Sequence, residues 1–252
     1  MSVNSDKAWK AYGKKDPYFG VLTHEKFKDA NLTEEHKKEF FDTGRKYANR
    51  IFRLIHKHFD AEFNPKSILD FGCGTGRLTL GFAPNTPRVV GIDVSENMLE
   101  EARVNAQILG QPHIEFALSD DTLSAVANEQ FELVNSYIVL QHINLDRGMK
   151  IIKELIDRIK PGGYGVLQVN YTCNKGRKLK VIDYFRYRIP LVHGLMNMMQ
   201  GDPYSKPLMQ MNCYNMNDVF TLMQQSDIPN SHMAFEKHGN CWGVTMVFKK
   251  ES

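Results

Sequence analysis

The residues with the clearest chemical potential sit in one run, Asp70-Phe71-Gly72-Cys73-Gly74-Thr75-Gly76. Glycine has no Cβ, so a turn built from it lets the backbone approach a ligand closely. Leu78 to Phe82 then begins a helix, whose first N–H groups have no partner within it and favour a polar or anionic ligand. The spacing is G-x-G-x-G followed by Arg77, which departs from the dinucleotide pattern G-x-G-x-x-G. Asp93 ends the next apolar run, where a carboxylate can accept both hydroxyls of a ribose. Asp120 and Asp121 follow a third run; there a carboxylate accepts from an adenine amino group, or simply closes a solvated turn. The three features together describe a site for an adenosine-bearing ligand. Cys73, inside the loop, reads as a small packing residue and not as a nucleophile.

The segments Ile68–Gly76, Val90–Asp93, Ser119–Asp121, Phe131–His142 and Lys160–Gly163 together resemble the class I S-adenosylmethionine-dependent methyltransferases. The resemblance covers about residues 66–170, with the motifs in that family's order. It implies that Asp70, Gly72, Gly74 and Gly76 hold the methionine portion of S-adenosyl-L-methionine, with Cys73 in the same loop. It implies that Asp93 holds the ribose, that Val94, Met98 and the 120–121 segment line the adenine, and that Ser136 faces the sulfonium. It also implies a Rossmann-like, doubly wound, seven-stranded sheet: five parallel strands plus an antiparallel C-terminal hairpin, with helices on both faces.

Methyl transfer from a sulfonium is an in-line displacement, so the protein's tasks are alignment and removal of the acceptor's proton. His142, just past the fourth run, is the candidate base, because imidazole titrates near neutrality. Its structural alternative is a packing or capping role. Tyr137 beside it either orients the acceptor or covers the cofactor. That fourth run ends in Asn135-Ser136-Tyr137, with no acid, and a Mg²⁺ site wants several convergent carboxylates, so a metal-independent reaction is expected. The expected activity is methylation of a small-molecule oxygen or nitrogen. A nicotinamide-dependent oxidoreductase and a non-catalytic cofactor-binding module remain the alternatives.

The elements that must position these groups alternate along the middle of the chain. Ser67–Phe71, Arg88–Asp93, His113–Leu118, Phe131–Ser136 and Tyr164–Val169 read as strands. A helix capped by Ser95 carries Met98, Leu99 and Ala102 on one face, and another spans Gly148 to Ile159 before Pro161-Gly162-Gly163 ends it. Strands separated by helices predict a parallel sheet covered on both faces. Met216–Gln225 reads as a helix, and His232–Lys237 and Trp242–Lys249 as strands joined through Gly239-Asn240.

The chain thus divides into an N-terminal helical cap (1–60), a cofactor-binding core (66–170), a lid-like insertion (171–212) and a C-terminal helix and hairpin (213–252). In the cap, Tyr12, Tyr18 and Phe19 are candidates to close over the cofactor, and Gly44 and Arg50 to approach its carboxylate. The insertion carries Lys175, Arg177, Lys178, Lys180, Arg186 and Arg188 among Tyr184, Phe185 and Tyr187, then Met196, Met198, Met199, Met209 and Met211; Tyr214 follows. It reads as a solvated face over a methionine-rich core, a lid over a small molecule, or a membrane or nucleic-acid surface. A net charge of +3, from 32 basic and 29 acidic residues, is too mild to imply nucleic acid. No run is long and apolar enough to span a bilayer, so no stable membrane insertion is expected. The four cysteines, at 73, 173, 213 and 241, form neither a C-x-x-C pair nor a zinc pattern, and the reading is a reduced, cytoplasmic protein.

Overall fold

Seven strands form one sheet: β1 (Ser67–Phe71), β2 (Arg88–Asp93), β3 (Glu115–Leu118), β4 (Phe131–Ser136), β5 (Ile159–Cys173), β6 (Ser231–His238) and β7 (Cys241–Lys249). The computed structural model describes residues 5–174, 182, 184–186, 189–199, 201 and 203–251. Lys175, Arg177, Lys178, Lys180, Tyr187 and Arg188 lie outside the described residues. The strand order is β3-β2-β1-β4-β5-β7-β6, with β7 antiparallel to both its neighbours and the rest parallel. The chain reverses direction across the sheet between β1 and β4, and an open α/β sheet opens a crevice at that place, beyond the strands' carboxyl ends.

Alternation along the strands assigns side chains to the two faces. Leu69, Phe71, Val90 and Ile92 join one core cluster with α6 (Leu145–Asp157) and α8 (Met216–Gln224). Ile68, Val89, Leu133 and Tyr164 join the other with Phe40, Ile51 and Ile55 of α3 (Glu34–His58). Ahead of α3 lie α1 (Ser5–Lys15) and α2 (Pro17–Val21); α4 (Thr79–Phe82) follows the glycine loop, α5 (Glu96–Ile108) follows β2, and α7 (Pro190–Met199) lies in the insertion.

Three local expectations change. Pro161-Gly162-Gly163 does not end the helix before the fifth strand: α6 stops at Asp157 and β5 already starts at Ile159, and its register against β4 shifts between Phe131 and Leu133, with Gly162 at φ +75°. Ser95 does not cap α5 with its side chain; its hydroxyl is buried without a partner and its N–H donates to Asp93. The cysteines are not all reduced: Cys173 and Cys241 face each other across β5 and β7 and form a disulfide, with the Cys213 sulfur 3.2 Å from that of Cys173. The pairing follows from strand register over 68 residues of separation, which no short motif spells out.

Where α3 crosses the start of α4, glycine is required. A Cβ on Gly44 would lie 2.0 Å from the Arg77 carbonyl oxygen, and one on Gly81 would lie 2.6 Å from the Gly44 backbone. Gly44→Ala is therefore expected to lower stability by about 2–4 kcal/mol in urea unfolding, because backbone cannot move aside as a side-chain tip can. An unchanged midpoint would mean that α3 rides further out.

Candidate active site

The carboxyl ends of β1, β2 and β4 surround a cavity of about 490 Å³. Its floor is Asp70 to Gly74 and its walls include Arg77, Asp93, Val94, Met98, Ser119, Asp120, Tyr137 to Val139, Gln141 and His142. Ser5, Asp6 and Trp9 of α1, Gly20 to Thr23, Met209, Met211, His238 and Gly239 close it. The N-terminal cap is tied down by Arg147, which pairs with Asp6 at 2.7 Å and with Asp121.

The glycine loop takes backbone conformations that L side chains rarely adopt: Gly72, Gly74 and Gly76 have φ of +72°, +55° and +86°. A Cβ on Gly72 would also meet Val139 at 2.4 Å, and one on Gly74 would meet Val21 at 2.6 Å. Gly76 does not line the cavity; it lets α4 pack near Ala102 and Phe116. Asp70 is fixed from below, accepting hydrogen bonds from Thr79 Oγ1 at 2.6 Å and Asn135 Nδ2 at 2.8 Å, while Tyr47 donates to Asn135. Burial raises its pKa against those bonds. Cys73 is buried, and burial pushes its thiol well up, which keeps it protonated and unreactive.

Asp93 stands half-buried at the wall. Gly74 N–H donates to its Oδ2 at 3.0 Å and Ser95 N–H to its Oδ1 at 2.9 Å, so each oxygen keeps a lone pair for a ligand hydroxyl. Burial pushes its pKa up to about 6. The two acids after β3 separate in role. Asp121 does not reach the cavity and holds Arg147 instead. Asp120 lines the cavity, but hydrogen bonds from the side chains and N–H groups of Ser124 and Thr122 hold its carboxyl well below the usual range and leave one lone pair, on Oδ2.

Beyond β4, Ile138 sits at φ +61°, an unusual conformation for a β-branched residue, and its N–H is held by Gln168. Asn135 and Tyr137 both contact Tyr47, on the α3 side of the sheet. Ser136, between them, projects to the opposite face; it is fully buried and does not line the cavity, whereas the resemblance expects it to face the sulfonium. Tyr137 donates to Glu236 at 3.0 Å, and burial together with that carboxylate raises its pKa. His142 lies in the 3-10 turn Leu140–His142, with the Trp9 ring edge-on at 4.9 Å. Its Nδ1 is 2.7 Å from the Gln210 carbonyl, which only an N–H can satisfy, so Nε2 carries the lone pair, and the Gln141 side-chain amide donates to it at 3.4 Å. Burial pulls its pKa down to about 4.

Other expected contributors lie elsewhere. Arg50 pairs with Glu236 at 2.7 Å, and Gly44 packs on Arg77, so neither borders the cavity. Tyr12 donates to the Pro207 carbonyl, Tyr18 to Glu101 and Asn105, and Tyr214 to the Leu140 carbonyl. The residue that spacing alone underrated is Arg77. It is 5% exposed, borders the cavity, and no carboxylate among the described residues lies within ion-pair distance of it. Among the described residues only Thr43 accepts from it, at 3.3 Å, its Nε has no partner, and the buried Asp70 carboxylate attracts it from beyond ion-pair distance. A cation in the turn just before a buried apolar helix is the signal that could have found it.

Residues 68–163 match the model of the methyltransferase domain family. This core is a class I S-adenosylmethionine-dependent methyltransferase domain. The chain is 31% identical over 110 residues to a ubiquinone biosynthesis O-methyltransferase of Idiomarina loihiensis, covering 44% of each chain. It is 31% identical over 127 residues to a malonyl-[acyl-carrier protein] O-methyltransferase of Halalkalibacterium halodurans, covering 47% of this chain and 45% of that one. A 23S rRNA (uracil(747)-C(5))-methyltransferase of Vibrio vulnificus is 30% identical over 93 residues, 37% of this chain and 24% of its own. The chain spans between about a quarter and a half of the length of these curated relatives. Among solved structures, magnesium protoporphyrin IX methyltransferase of Synechocystis with bound S-adenosylhomocysteine superposes with a TM-score of 0.61 at 15% identity, over 96% of this chain and 98% of that one. The N-methyltransferase NodS of Bradyrhizobium japonicum gives 0.60 at 14% identity, over 99% and 100%. Both share the fold.

The residues of this methyltransferase domain fit S-adenosyl-L-methionine. The glycine turn leaves its backbone bare at the cavity floor, Asp93 keeps lone pairs for hydroxyls, Val94 and Met98 offer apolar contact beside it, and Arg77 presents a buried cation with no ion-pair partner among the described residues. A ribose, an adenine and a carboxylate are the complementary groups. This assignment retires the nicotinamide-dependent alternative.

Proposed function

We propose that this chain transfers a methyl group from S-adenosyl-L-methionine to an oxygen or nitrogen of a small-molecule acceptor, without a metal, with His142 receiving the proton. The observation that carries the reading is the Nε2 lone pair of His142, set by its Nδ1 bond to Gln210, on the wall of the cavity that the glycine loop floors; its present donor, the Gln141 amide at 3.4 Å, is a long contact that an acceptor hydroxyl would replace. Bound there, the donor supplies a methyl group already activated by its sulfonium. Gly72, Gly74 and Asp70 hold the methionine portion, Asp93 the ribose, and Val94, Met98 and Asp120 the adenine. Arg77 takes the carboxylate.

The cap of residues 1–60 and the insertion of residues 171–212 form the acceptor side, since Trp9 and the 20–23 segment come from one and Met209 and Met211 from the other. Together they exclude water. Tyr137 stays protonated and orients the acceptor through its ring and its bond to Glu236. The metal-independent route rests on β4 ending in Asn135 and Ser136, which offer no carboxylate there.

A pKa of about 4 shapes what His142 can do. It cannot strip a proton from an ammonium, but a hydroxyl becomes strongly acidic as it is alkylated, and even a weak base then removes its proton. Oxygen is therefore favoured, and a nitrogen acceptor must arrive neutral. His142→Gln is expected to lower kcat about a hundredfold while leaving S-adenosylhomocysteine affinity within about twofold. Unchanged kcat at saturating acceptor would leave His142 with packing alone.

The same residue gives a stability signature. Its folded pKa lies below the ordinary 6.5, so the unfolded chain takes the proton first. The stabilisation is complete above pH 6.5 and is lost as pH falls toward 4, amounting to about 3 kcal/mol. Urea unfolding across that window is expected to show this loss in the wild type and not in His142→Gln; parallel curves would contradict it.

A further inference from the structure

α7, Pro190–Met199, is built inside out. Its inward face is polar. His193 and Asn197 both bond to the Lys206 carbonyl, at 2.7 and 3.0 Å, and both receive hydrogen bonds from Arg186. Gly194 lets the Tyr204 ring lie against the helix, where a Cβ would come within 2.1 Å. The outward face carries Leu191, Leu195, Met198 and Met199, which are 60, 50, 59 and 87% exposed. Their spacing, i, i+4, i+7 and i+8, is one continuous stripe. Phe185 and Ile189 are also exposed just before it. Exposed apolar residues scattered singly need no explanation, but a full stripe on a helix whose polar side is turned inward does.

We infer that this stripe docks the protein on a membrane surface bearing anionic headgroups. The charge of the surrounding sequence selects that occupant. As sequence, residues 174–201 contain six Lys or Arg and a single acid, Asp183; of these seven only Arg186 is among the described residues, and it is bonded to His193 and Asn197. Two copies of this chain meeting through the stripe would bring two basic segments together, and that repulsion disfavours a dimer. RNA would gain little from leucine and methionine side chains, which neither stack nor donate hydrogen bonds. An anionic bilayer satisfies both features, with apolar side chains entering the headgroup boundary and the basic segment attracted to the surface. A ten-residue helix is far too short to span, so it lies in the interface plane. The inference concerns this surface alone and holds whichever acceptor is methylated.

The test uses the full chain and sedimentation with unilamellar vesicles, either phosphatidylcholine alone or equimolar phosphatidylcholine and phosphatidylglycerol. The wild type is expected to pellet with the anionic vesicles, less with phosphatidylcholine, and less as salt rises. Leu191→Glu/Leu195→Glu should weaken vesicle binding at least about tenfold while keeping the thermal stabilisation by S-adenosylhomocysteine, which reports an intact core. Met199→Asp, at the most exposed position, is a second variant that leaves folding untouched and should weaken binding in the same direction. No pelleting with anionic vesicles, or equal pelleting by the variants, would overturn the inference. So would a wild-type dimer in light scattering that the double variant dissociates, or tight binding of a single-stranded oligoribonucleotide that the variants leave unchanged.

Discussion

Replacing Asp93 with alanine is expected to weaken S-adenosylhomocysteine binding about a hundredfold at neutral pH, measured by titration calorimetry. Each oxygen of Asp93 accepts one backbone N–H, from Gly74 and from Ser95, and keeps one lone pair facing the cavity. Hydrogen bonds to a charged group contribute about 1.5–3 kcal/mol each, and removal also releases Gly74, so a total near 3 kcal/mol is a conservative sum. The pH dependence has a definite sign. Burial lifts the Asp93 pKa from 3.8 to about 6, so the ionised form that accepts hydroxyls is depleted below that pH. Affinity should fall as pH drops through 6 in the wild type and stay level in Asp93→Asn. For the ligand-free protein the linkage runs the other way: the contribution is fully present below 3.8 and is lost as pH rises through 6. An affinity unaltered by Asp93→Ala would remove this residue from the cofactor site.

Arg77→Met is expected to move stability and binding in opposite directions. The guanidinium is buried with Thr43 as its hydrogen-bond acceptor, and burial lowers its pKa. Burial outweighs the attraction of Asp70, so exchanging this charge for an apolar side chain of similar length should stabilise the ligand-free protein by about 1–3 kcal/mol in urea unfolding. The same change should cost about tenfold to a hundredfold in affinity for S-adenosylhomocysteine. A decarboxylated analogue distinguishes the source of the anion. If Arg77 holds the cofactor's carboxylate, the wild type prefers S-adenosylhomocysteine to the analogue and the variant does not. If the anion belongs to the acceptor, cofactor affinity is unchanged and the acceptor's KM rises. Loss of stability with no change in either affinity would show that the guanidinium serves packing only.

Much of the architecture was legible because it is written locally. β1, β2 and β4 are short apolar runs between turn signals, and the helix after Ser95 and α6 repeat apolar residues at helical spacing. Gly239-Asn240 marked the hairpin between β6 and β7. That the residues proposed to hold the cofactor come together was legible for the same reason: a glycine turn and the acid at the end of the next strand belong to one βαβ unit, so their distance in sequence constrains their distance in space. Asp70, Gly72, Gly74, Asp93, Val94, Met98 and Asp120 all border the cavity, as does His142.

What spacing left open depends on partners far along the chain. Whether Ser136 or Tyr137 meets the cavity is decided by which face of β4 turns toward α3, and that is fixed by Tyr47. Which of Asp120 and Asp121 serves the site depends on Arg147, which claims the second. The low pKa of His142 comes from its burial beneath Trp9 and the 209–211 segment, and the Cys173–Cys241 bridge from the register of β5 on β7. By itself, then, the sequence determined the strand-and-helix order and the adenosine end of the glycine-loop site, because those are set by periodicity and neighbouring residues. Only the tertiary structure decided that Arg77 is a buried cation without an ion-pair partner among the described residues, that His142 is a weak base, and that α7 turns its apolar face outward, because burial and charge pairing belong to the folded chain and not to any segment of it.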